Sequence, residues 1–567
     1  MRLQCAITTF TRSVTVAPGV FAPGHLGELT RYLPFELVDA VLQETGKVQQ
    51  RLRDLPSRVG VYFLLAAALF PHLGYAGVWG KLVAGLAGLP VPAPSAAALR
   101  HLRRRLGSAP FKALFEVVAG PLARPRTAAV RYRHYRTVAL DGCKSVKAPD
   151  SDRNRSWLGR VKHRLAWSGY PTVMLMALVE TGTRGLLGAA FGPATGQDTG
   201  ECAYATGLLP LLDKDMLLLA DRGFDSNKFL AAAAKTGARL LIRIKASRRP
   251  PVVERLPDGS FLSRIGDLKV RIIDADVIVT GADDIIHTHR YQLATTLLDH
   301  LLDPAARLIR LYHERWEVES TFFALRHTML AGHVLRSGDQ CGIEQELWAQ
   351  LTVYQLLRTA MVAAVESRPG TDPDRAGFTT ALEAARQELT LARGIVETGP
   401  GVDLVGTIGH AVLGKLLDPR RPRFSIRKVK SPLSRYHARP KGDERPLTSM
   451  NITDIAILIH ATPQPPLPAE ARIRASKAAR SRRQRANHRA SKAAAPVAKR
   501  PRSGRQQQAL ALMRTDPSRT WNGREVAQAL GITNHHSLCV QMSQWARRGL
   551  LRRTSPATYV LADQTAT

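Results

Sequence analysis

Between residues 136 and 244 the sequence alternates strand-like and helix-like segments, and their order restricts the fold more than any other feature. Three short apolar segments come first, and the turn at 180–185 joins the second and third as a hairpin. A helix, a strand, a second helix and a final strand follow. The bounds indicated by the pattern are 136–140, 172–179, 186–191, about 200–212, 216–220, 227–236 and 238–244.

Strand, strand, strand, helix, strand, helix, strand is the order of a ribonuclease H fold, which predicts an α/β protein. In that fold the first and fourth strands lie side by side, so side chains at their ends share one site. Asp141 follows the first predicted strand and Asp221 follows the fourth. Taken singly, an acid at a strand end is more often a turn-forming residue. The order of the segments therefore carries the prediction that these two carboxylates meet.

The pattern is then interrupted by strand-like pieces, which we interpret as a mostly β insertion, and a closing helix is predicted over Leu308 to Leu330. At about 100° per residue, four polar residues of this helix fall within about 60° of one another: Tyr312, Arg315, Glu319 and Arg326. An apolar stripe lies beside them: Leu311, Val318, Phe322, Leu325 and Met329. One side of the helix is therefore expected to pack on the sheet while the polar face turns to the aspartates.

Three convergent carboxylates can hold two Mg²⁺ or Mn²⁺ ions for an in-line displacement at a phosphodiester. The predicted catalytic and metal-binding residues are the three acids Asp141, Asp221 and Glu319. Three neighbours on the helix are predicted to contact adjacent DNA phosphates: Tyr312, Arg315 and Arg326. A glutamate between two arginines on a helix is otherwise usually part of a surface ion pair.

The segment from Tyr312 to Arg326 resembles the Tyr-x2-Arg-x3-Glu-x6-Lys signature of the DDE transposases in the insertion-sequence-four family. The segments 140–142, Leu-Asp-Gly, and 220–224, Ala-Asp-Arg-Gly-Phe, resemble the two aspartate motifs of that family. The resemblance covers about Leu26 to about His460. It implies a ribonuclease H-like catalytic core with a β insertion, acting as a dimer that pairs two transposon ends and excises them, sometimes through hairpinned ends.

Two departures from the family pattern limit what the resemblance implies. Arg326 stands where the family has Lys, which keeps the charge but replaces a point donor by a fork. The family's insertion can supply an aromatic residue that stacks a flipped base, yet no Trp occurs between Trp167 and Trp316. Tyr291 and Phe261 are left as weak substitutes for that aromatic residue.

Composition divides the chain into regions with different roles. They are a helical DNA-binding or dimer region at 1–115, a ribonuclease H-like catalytic domain at 130–340 with its β-rich insertion at 247–306, a helical C-terminal region at 341–462, a basic linker at 463–504 and a winged-helix-like module at 505–567. Residues 471–505 contain thirteen Lys or Arg and no Asp or Glu, so the linker is expected to be a mobile basic tether.

The last region has the order helix, helix, turn, helix, hairpin, which is that of a winged helix-turn-helix. Asn522 with Glu525 has the pattern of a capping box, and a recognition helix is predicted over about Asn534 to Arg547. Six of its residues are candidates for contacting bases or phosphates: Asn534, His535, His536, Ser537, Gln541 and Gln544. The alternative is a helical interaction module with a solvated basic face.

The charge balance indicates the partner. The sequence has 81 Lys plus Arg and 46 Asp plus Glu, a formal net charge of +35, which favours a polyanionic partner, with nucleic acid as the leading candidate. The family resemblance implies that this partner is double-stranded DNA, namely transposon terminal inverted repeats and target DNA, bound by a homodimer. The longest apolar run, Val59 to Phe70, is too short for a bilayer span, so no membrane partner is expected. Five cysteines without a close pair fit a reducing cytoplasm, and the predicted location is the bacterial nucleoid.

The leading prediction is a DNA transposase that cleaves transposon ends and transfers the strands in a metal-dependent reaction. An inactive, transposase-derived DNA-binding regulator would share the DNA-binding regions, and a ribonuclease H-fold DNA nuclease would share the three acids. No Gly-x4-Gly-Lys-Ser/Thr loop is present, so a nucleotide cofactor is not expected.

Overall fold

The structure is a computed structural model, and its atoms fall into two compact units that divide after Pro465. It describes residues 24–50, 54–86, 89–159, 169–194, 196, 199–281, 286–393, 403, 405–419, 452–461, 504–532, 535–547, 549–555 and 557–562. Nearly all of the predicted tether, together with Asn534 of the predicted recognition helix, lies outside these residues.

The first unit begins with five helices. The second of them is apolar on all sides because it is Ala/Leu-rich, and it is buried along nearly its whole length. The five helices are α1 (Phe35–Glu44), α2 (Ser57–Leu69), α3 (Tyr75–Val83), α4 (Ala96–Leu106) and α5 (Ala109–Val118).

A mixed sheet with helices packed on it follows. Its first part consists of β1 (Arg131–Tyr132), β2 (Tyr135–Lys147), α6 (Asp152–Leu158), β3 (Thr172–Glu180), β4 (Leu186–Gly192), α7 (Glu201–Leu208), β5 (Met216–Ala220), α8 (Asn227–Lys235) and β6 (Arg239–Arg243). The strands are ordered β4-β3-β2-β5-β6, with β2 antiparallel to β3 and β3 antiparallel to β4. The first and fourth predicted strands, β2 and β5, are parallel neighbours, as expected. All five side chains of β5 are buried, which explains its uninterrupted apolar sequence.

The β insertion extends this same sheet. It contributes β7 (Glu254–Arg255), β8 (Phe261–Ile265), β9 (Leu268–Gly281) and β10 (Ile286–Thr295), of which β10 pairs with β6. The longest of these strands is β9, with 14 residues. The sheet grows by hairpin pairing, because each new strand here is antiparallel to the one before it.

The helix that closes the core is less regular than predicted. In place of one helix over 308–330, the chain forms α9 (Ala305–Tyr312), a 3₁₀ turn (His313–Arg315), α10 (Trp316–Phe323) and a π-helical turn (Ala324–Met329). The winding therefore changes on both sides of Glu319. A uniform 100° per residue is valid inside α10 but not from Tyr312 to Arg326.

The region after the core is mostly helical, with α11 (Gln340–Glu366), α12 (Phe378–Thr390) and α13 (Gly406–Gly414). The prediction of a helical region up to residue 462 is wrong at its end, because Ile452–Ile459 forms β11 and pairs with β9. The period-two spacing of Ile455, Ile457 and Ile459, which pack on the core, is typical of a strand. Among the described helices, none has the length and apolarity needed to cross a membrane.

The second unit has its own small core. It contains α14 (Gly504–Arg514), β12 (Trp521–Asn522), α15 (Gly523–Ala529), α16 (His535–Arg547), β13 (Leu551–Ser555) and β14 (Thr558–Leu561), with strand order β12-β14-β13. The predicted capping box is present, since the backbone N–H of Asn522 donates to Glu525 Oε2 at 3.3 Å and the Asn522 side chain accepts from α15. Trp521, Trp545 and Tyr559 are buried together beneath the helices.

Candidate active site

Two aspartates lie side by side where β2 and β5 separate. The last parallel pair is Leu140 with Ala220, so Asp141 and Asp221 each follow it by one residue. Neighbouring strands are about 4.8 Å apart, which puts the two side chains within reach of one ion. Asp221 Oδ1 accepts from the backbone N–H of Gly223 at 2.6 Å, which fixes the start of the following 3₁₀ turn. The sequence prediction that these two acids meet agrees with this register.

Glu319 reaches the same place from α10 through an arginine. Arg315 Nη1 donates to Asp141 Oδ2 and Arg315 Nη2 donates to Glu319 Oε1, both at 3.2 Å. The guanidinium is largely buried, at 8% exposed, and it bridges the sheet and the helix. Arg315 therefore brings the carboxylates of Asp141 and Glu319 to opposite sides of one planar cation.

The site is short of positive charge even with this arginine. Burial raises the pKa of the Asp141 carboxyl to about 6; the nearby Arg315 lowers it, and the charges of Asp221 and Glu319 raise it. The acids are thus close enough for their charges to interact. A further positive charge at this point would stabilise all three ionised forms.

A fourth carboxylate borders the aspartates. A Cβ added at Gly142 would lie 2.8 Å from Glu201 Oε1, and one added at Gly223 would lie 3.8 Å from Glu201 Oε2. Glu201 therefore rests against the backbone beside both Asp141 and Asp221, at the first residue of α7. The close approach explains the glycine after Asp141. No local sequence pattern indicates this contact, because Glu201 lies 60 positions after Asp141.

Tyr312, for which the sequence predicts a contact with a DNA phosphate, is turned into the protein in this structure. Its side chain is buried, and its hydroxyl donates to the backbone carbonyl of Ala220 at 3.2 Å. Burial also raises the pKa of the Tyr312 hydroxyl. The residue therefore holds the end of α9 against the last residue of β5, one position before Asp221. Its role in this structure is to position the backbone of the site.

Arg326 is placed differently from Arg315. It lies in the π-helical turn after α10, and its side chain makes no hydrogen bond or ion pair with the residues that the structure describes. Its Nε is buried without a partner. Arg326 is thus a cation on the active-site helix that is not used by the protein's own acids.

A buried ion network anchors α10 from behind. Arg184, in the β3–β4 turn, donates to Glu317 on α10, with Nη2 3.2 Å from Oε1, and it also pairs with Asp374. All three side chains are at most 6% exposed. The hydroxyl of Tyr354 on α11 donates to the backbone carbonyl of Arg184 at 3.0 Å. Because Glu317 and Glu319 are two residues apart on α10, this network also fixes the position of Glu319 in the site.

The insertion's aromatic residues are part of the core. Tyr291 is 6% exposed and packs edge-on against Tyr312 and His313, and Phe261 is 1% exposed. Neither ring can stack on a DNA base in this arrangement, so the suggestion that they substitute for a base-stacking residue is wrong. Tyr291 instead connects β10 with the end of α9, next to the acids.

The carboxylate oxygens of the site are suitable ligands for a divalent ion, although they do not all point at one position. Among the described residues, no group of three or more His, Cys, Asp or Glu side chains has the spacing of a preformed metal site. Carboxylate oxygens are the preferred ligands of Mg²⁺ and Mn²⁺. Burial is the main cause of the raised pKa of Asp141, and the negative charges of Asp221 and Glu319, which such an ion would offset, raise it further. The side chains therefore fit an ion chemically, and the Arg315 guanidinium now lies between two of them.

Comparisons with known proteins show which families and relatives this chain is similar to. Residues 23–116 match the family model "Insertion element 4 transposase N-terminal", and residues 133–356 match the family model "Transposase DDE domain". The chain is 27% identical over 439 residues to "Transposase InsG for insertion sequence element IS4" of Escherichia coli (strain K12). That match covers 74% of this chain and 95% of the relative.

One solved structure with a partial likeness is a piggyBac transposase synaptic complex with hairpin DNA. The TM-score is 0.35 at 11% sequence identity, over 70% of this chain and 86% of that one. A score of this size does not establish a common fold.

Proposed function

The chain belongs to the insertion-sequence-four family of DDE transposases, and on that premise we propose that Asp141, Asp221 and Glu319 are the acids of its DDE motif. The enzyme catalyses DNA transposition by cutting DNA and transferring the strands. The observation that carries the assignment is the Arg315 bridge, which joins Asp141 to Glu319 beside Asp221. Asp141 and Glu319, 178 positions apart in the chain (319 − 141), thereby come to one place.

The catalytic core is a ribonuclease H-like fold in this proposal. Two features support it: the strand order β4-β3-β2-β5-β6 and the parallel pairing of β2 with β5. In that order Asp141, inside β2, and Asp221, directly after β5, are adjacent at the middle of the sheet, and α10 lies beside them. The insertion lengthens the sheet from β6 through β10.

DDE transposases depend on a divalent metal, and Asp141, Asp221 and Glu319 are the residues that would hold two Mg²⁺ or Mn²⁺ ions here. Bound ions supply an activated water or 3′-hydroxyl and stabilise the leaving oxygen. The protein's own contribution is to hold the three carboxylates on rigid elements. Asp141 must be ionised to act, and its raised pKa means that it is largely so only above about pH 6.

DNA is held beside the acids by two cations in this proposal. Arg326 has no acidic partner among the described residues, so it is available to a phosphate of the bound strand. Arg315 contacts a phosphate after it leaves the carboxylates. Tyr312 is not included, because its hydroxyl is used by Ala220.

End recognition extends beyond the catalytic unit. We assign the helical region 1–115 to DNA binding and dimer formation, and the second unit to DNA binding as a winged helix-turn-helix. In that unit His535 and Gln544 on α16 and Arg552 and Arg553 on β13 are exposed. Helix and hairpin thus offer polar and basic side chains of the kind that contact base edges and phosphates. A dimer would pair two terminal repeats at the bacterial nucleoid.

A labelled duplex that carries the element's own terminal repeat tests the function. The full chain is incubated with it and target DNA, with and without Mg²⁺, and the products are separated on denaturing gels. Nicking at the repeat boundary followed by joining to target DNA is expected. Binding without nicking would leave only a regulator, and nicking without joining would leave a nuclease.

A further inference from the structure

Phe323 is an exposed aromatic residue on α10, close to the proposed active site. It is 62% exposed, the highest value for any Phe, Tyr or Trp among the described residues, and Tyr170 follows at 43%. It is the last residue of α10 and lies one turn after Glu319, so the two side chains share a face of the helix. An apolar ring therefore stands in solvent beside a proposed catalytic acid.

The ring is part of a stacked pair. Its centroid lies 5.0 Å from that of His327, with 34° between the ring planes. Burial, Arg326 and Lys147 lower the pKa of His327, so its imidazole is neutral at neutral pH. His327 lies in the π-helical turn, a distortion that is frequent at functional sites. The pair presents a broad, uncharged aromatic surface.

Positive charge surrounds this surface. Arg326 makes no ion pair with the described residues, and Lys147 is exposed at the end of β2, the strand that carries Asp141. Both are close enough to His327 for their charges to affect it. Exposed aromatic rings with cations beside them are the combination that binds single-stranded nucleic acid, by stacking bases and pairing phosphates.

We infer that this aromatic–basic patch, consisting of Phe323, His327, Arg326 and Lys147, binds unpaired DNA nucleotides next to the scissile phosphate. A base stacks on Phe323, and the flanking phosphates contact Arg326 and Lys147. A protein partner fits this surface less well, because an apolar partner would strip water from two unpaired cations. The inference rests on the proposed function, and it adds a preference for frayed or overhanging ends.

The test uses the full chain and a duplex with a short 3′ overhang, in which 2-aminopurine is the first unpaired base. Stacking quenches its fluorescence. Three variants are compared with the wild type: Phe323→Leu removes the aromatic ring, Phe323→Trp keeps one, and Leu301→Ala changes another exposed apolar residue. Leu301 is 79% exposed and precedes α9, at the end of that helix away from Tyr312. Affinities for overhang and blunt duplexes are measured by anisotropy.

Wild type, Phe323→Trp and Leu301→Ala should quench the probe, and Phe323→Leu should not. The preference for overhang over blunt duplex should fall roughly tenfold in Phe323→Leu. Equal quenching by Phe323→Leu overturns the inference. The inference is also overturned if Phe323→Leu changes the molecular mass measured by light scattering while quenching stays the same, because a second copy of the chain would then cover the patch. Wild-type protein that neither binds nor cuts the duplex contradicts the proposed function instead.

Discussion

Arg315 donates a hydrogen bond to Asp141 and, through its other terminal nitrogen, to Glu319, both at 3.2 Å. One buried guanidinium therefore lies between two acids that a metal ion would have to bring together. The arginine is the counter-ion of the site in this state. Because its charge partly offsets those of Asp141 and Glu319, the two carboxylates can lie close to each other around one cation.

The first prediction concerns the three acids. Replacing Asp141 or Asp221 by Asn, or Glu319 by Gln, removes a metal-binding charge while keeping the shape of the side chain. We expect cleavage of an end duplex to fall by roughly 10³-fold or more, with affinity for the duplex changed little. Asp152→Asn is the matched control, because that side chain is fully exposed on α6. A binding defect as large as the cleavage defect would identify a structural role.

A second prediction follows from the pKa of Asp141. Its value is raised from 3.8 to about 6 in the folded chain, so folding favours the protonated form. The native state binds more protons than the unfolded state between those values, and stability falls as pH rises through this window. Asp141→Asn removes this loss of stability, because the amide side chain does not ionise. We expect the variant to be more stable than the wild type at pH 7 by about 1–2 kcal/mol in EDTA, with no gain near pH 4.

Urea denaturation at the two pH values measures this difference. The wild type and the variant are compared with Asp152→Asn, whose exposed side chain should show no pH-dependent gain. A loss of stability at pH 7 in Asp141→Asn would show that the hydrogen bond from Arg315 outweighs the cost of the buried charge.

The third prediction concerns the bridge itself. In Arg315→Ala the acids lose their counter-ion, so mutual repulsion is no longer offset. We expect the variant to be less stable in EDTA and to gain more from millimolar Mg²⁺ or Ca²⁺ than the wild type does. Thermal melts with and without the ion measure both effects. Equal metal-induced shifts in the two proteins would show that Arg315 does not compete with the ion.

Much of the site could be predicted because its signals are local. Asp141 lies in the strand β2 and Asp221 directly follows the apolar strand β5, while Arg315, the residue before α10, is four positions from Glu319, about one helical turn. The buried position of Tyr312 could not be predicted, because a change of winding at 313–315 lies between it and α10. Spacing along an ideal helix could not show that turn.

Other features depend on contacts that no local pattern records. The insertion was expected as strands, but its attachment to β6 through β10 is a matter of pairing. Likewise, Glu201 lies 60 positions after Asp141, and only the fold reveals that it touches Gly142. The exposure of Phe323 was also hidden, because a Phe beside an apolar stripe is usually buried.

The fourth prediction concerns the buried network behind α10. Glu317→Gln leaves Arg184 with less compensating charge in a buried place, which we expect to cost about 3–5 kcal/mol of unfolding free energy. Arg155→Ala is the control, since its pair with Asp150 is partly exposed and should contribute about 1 kcal/mol or less. Urea denaturation of both variants gives the comparison. Similar small losses would mean that the network does not fix α10.

The last prediction concerns the basic tail. Deleting residues 465–567 removes the thirteen Lys or Arg of residues 471–505 together with the second unit. Each phosphate contact contributes about 0.9 to the slope of log affinity against log salt, because it releases condensed counterions. We expect the truncated chain to bind end duplexes more weakly at low salt and with a shallower slope, while still nicking them at saturating concentration.

Wild-type and truncated chains with parallel salt dependence would show that the tail makes no phosphate contacts. Since α9, α10 and the acid-bearing strands all precede residue 465, loss of nicking at saturation would instead mean that the tail completes the catalytic complex.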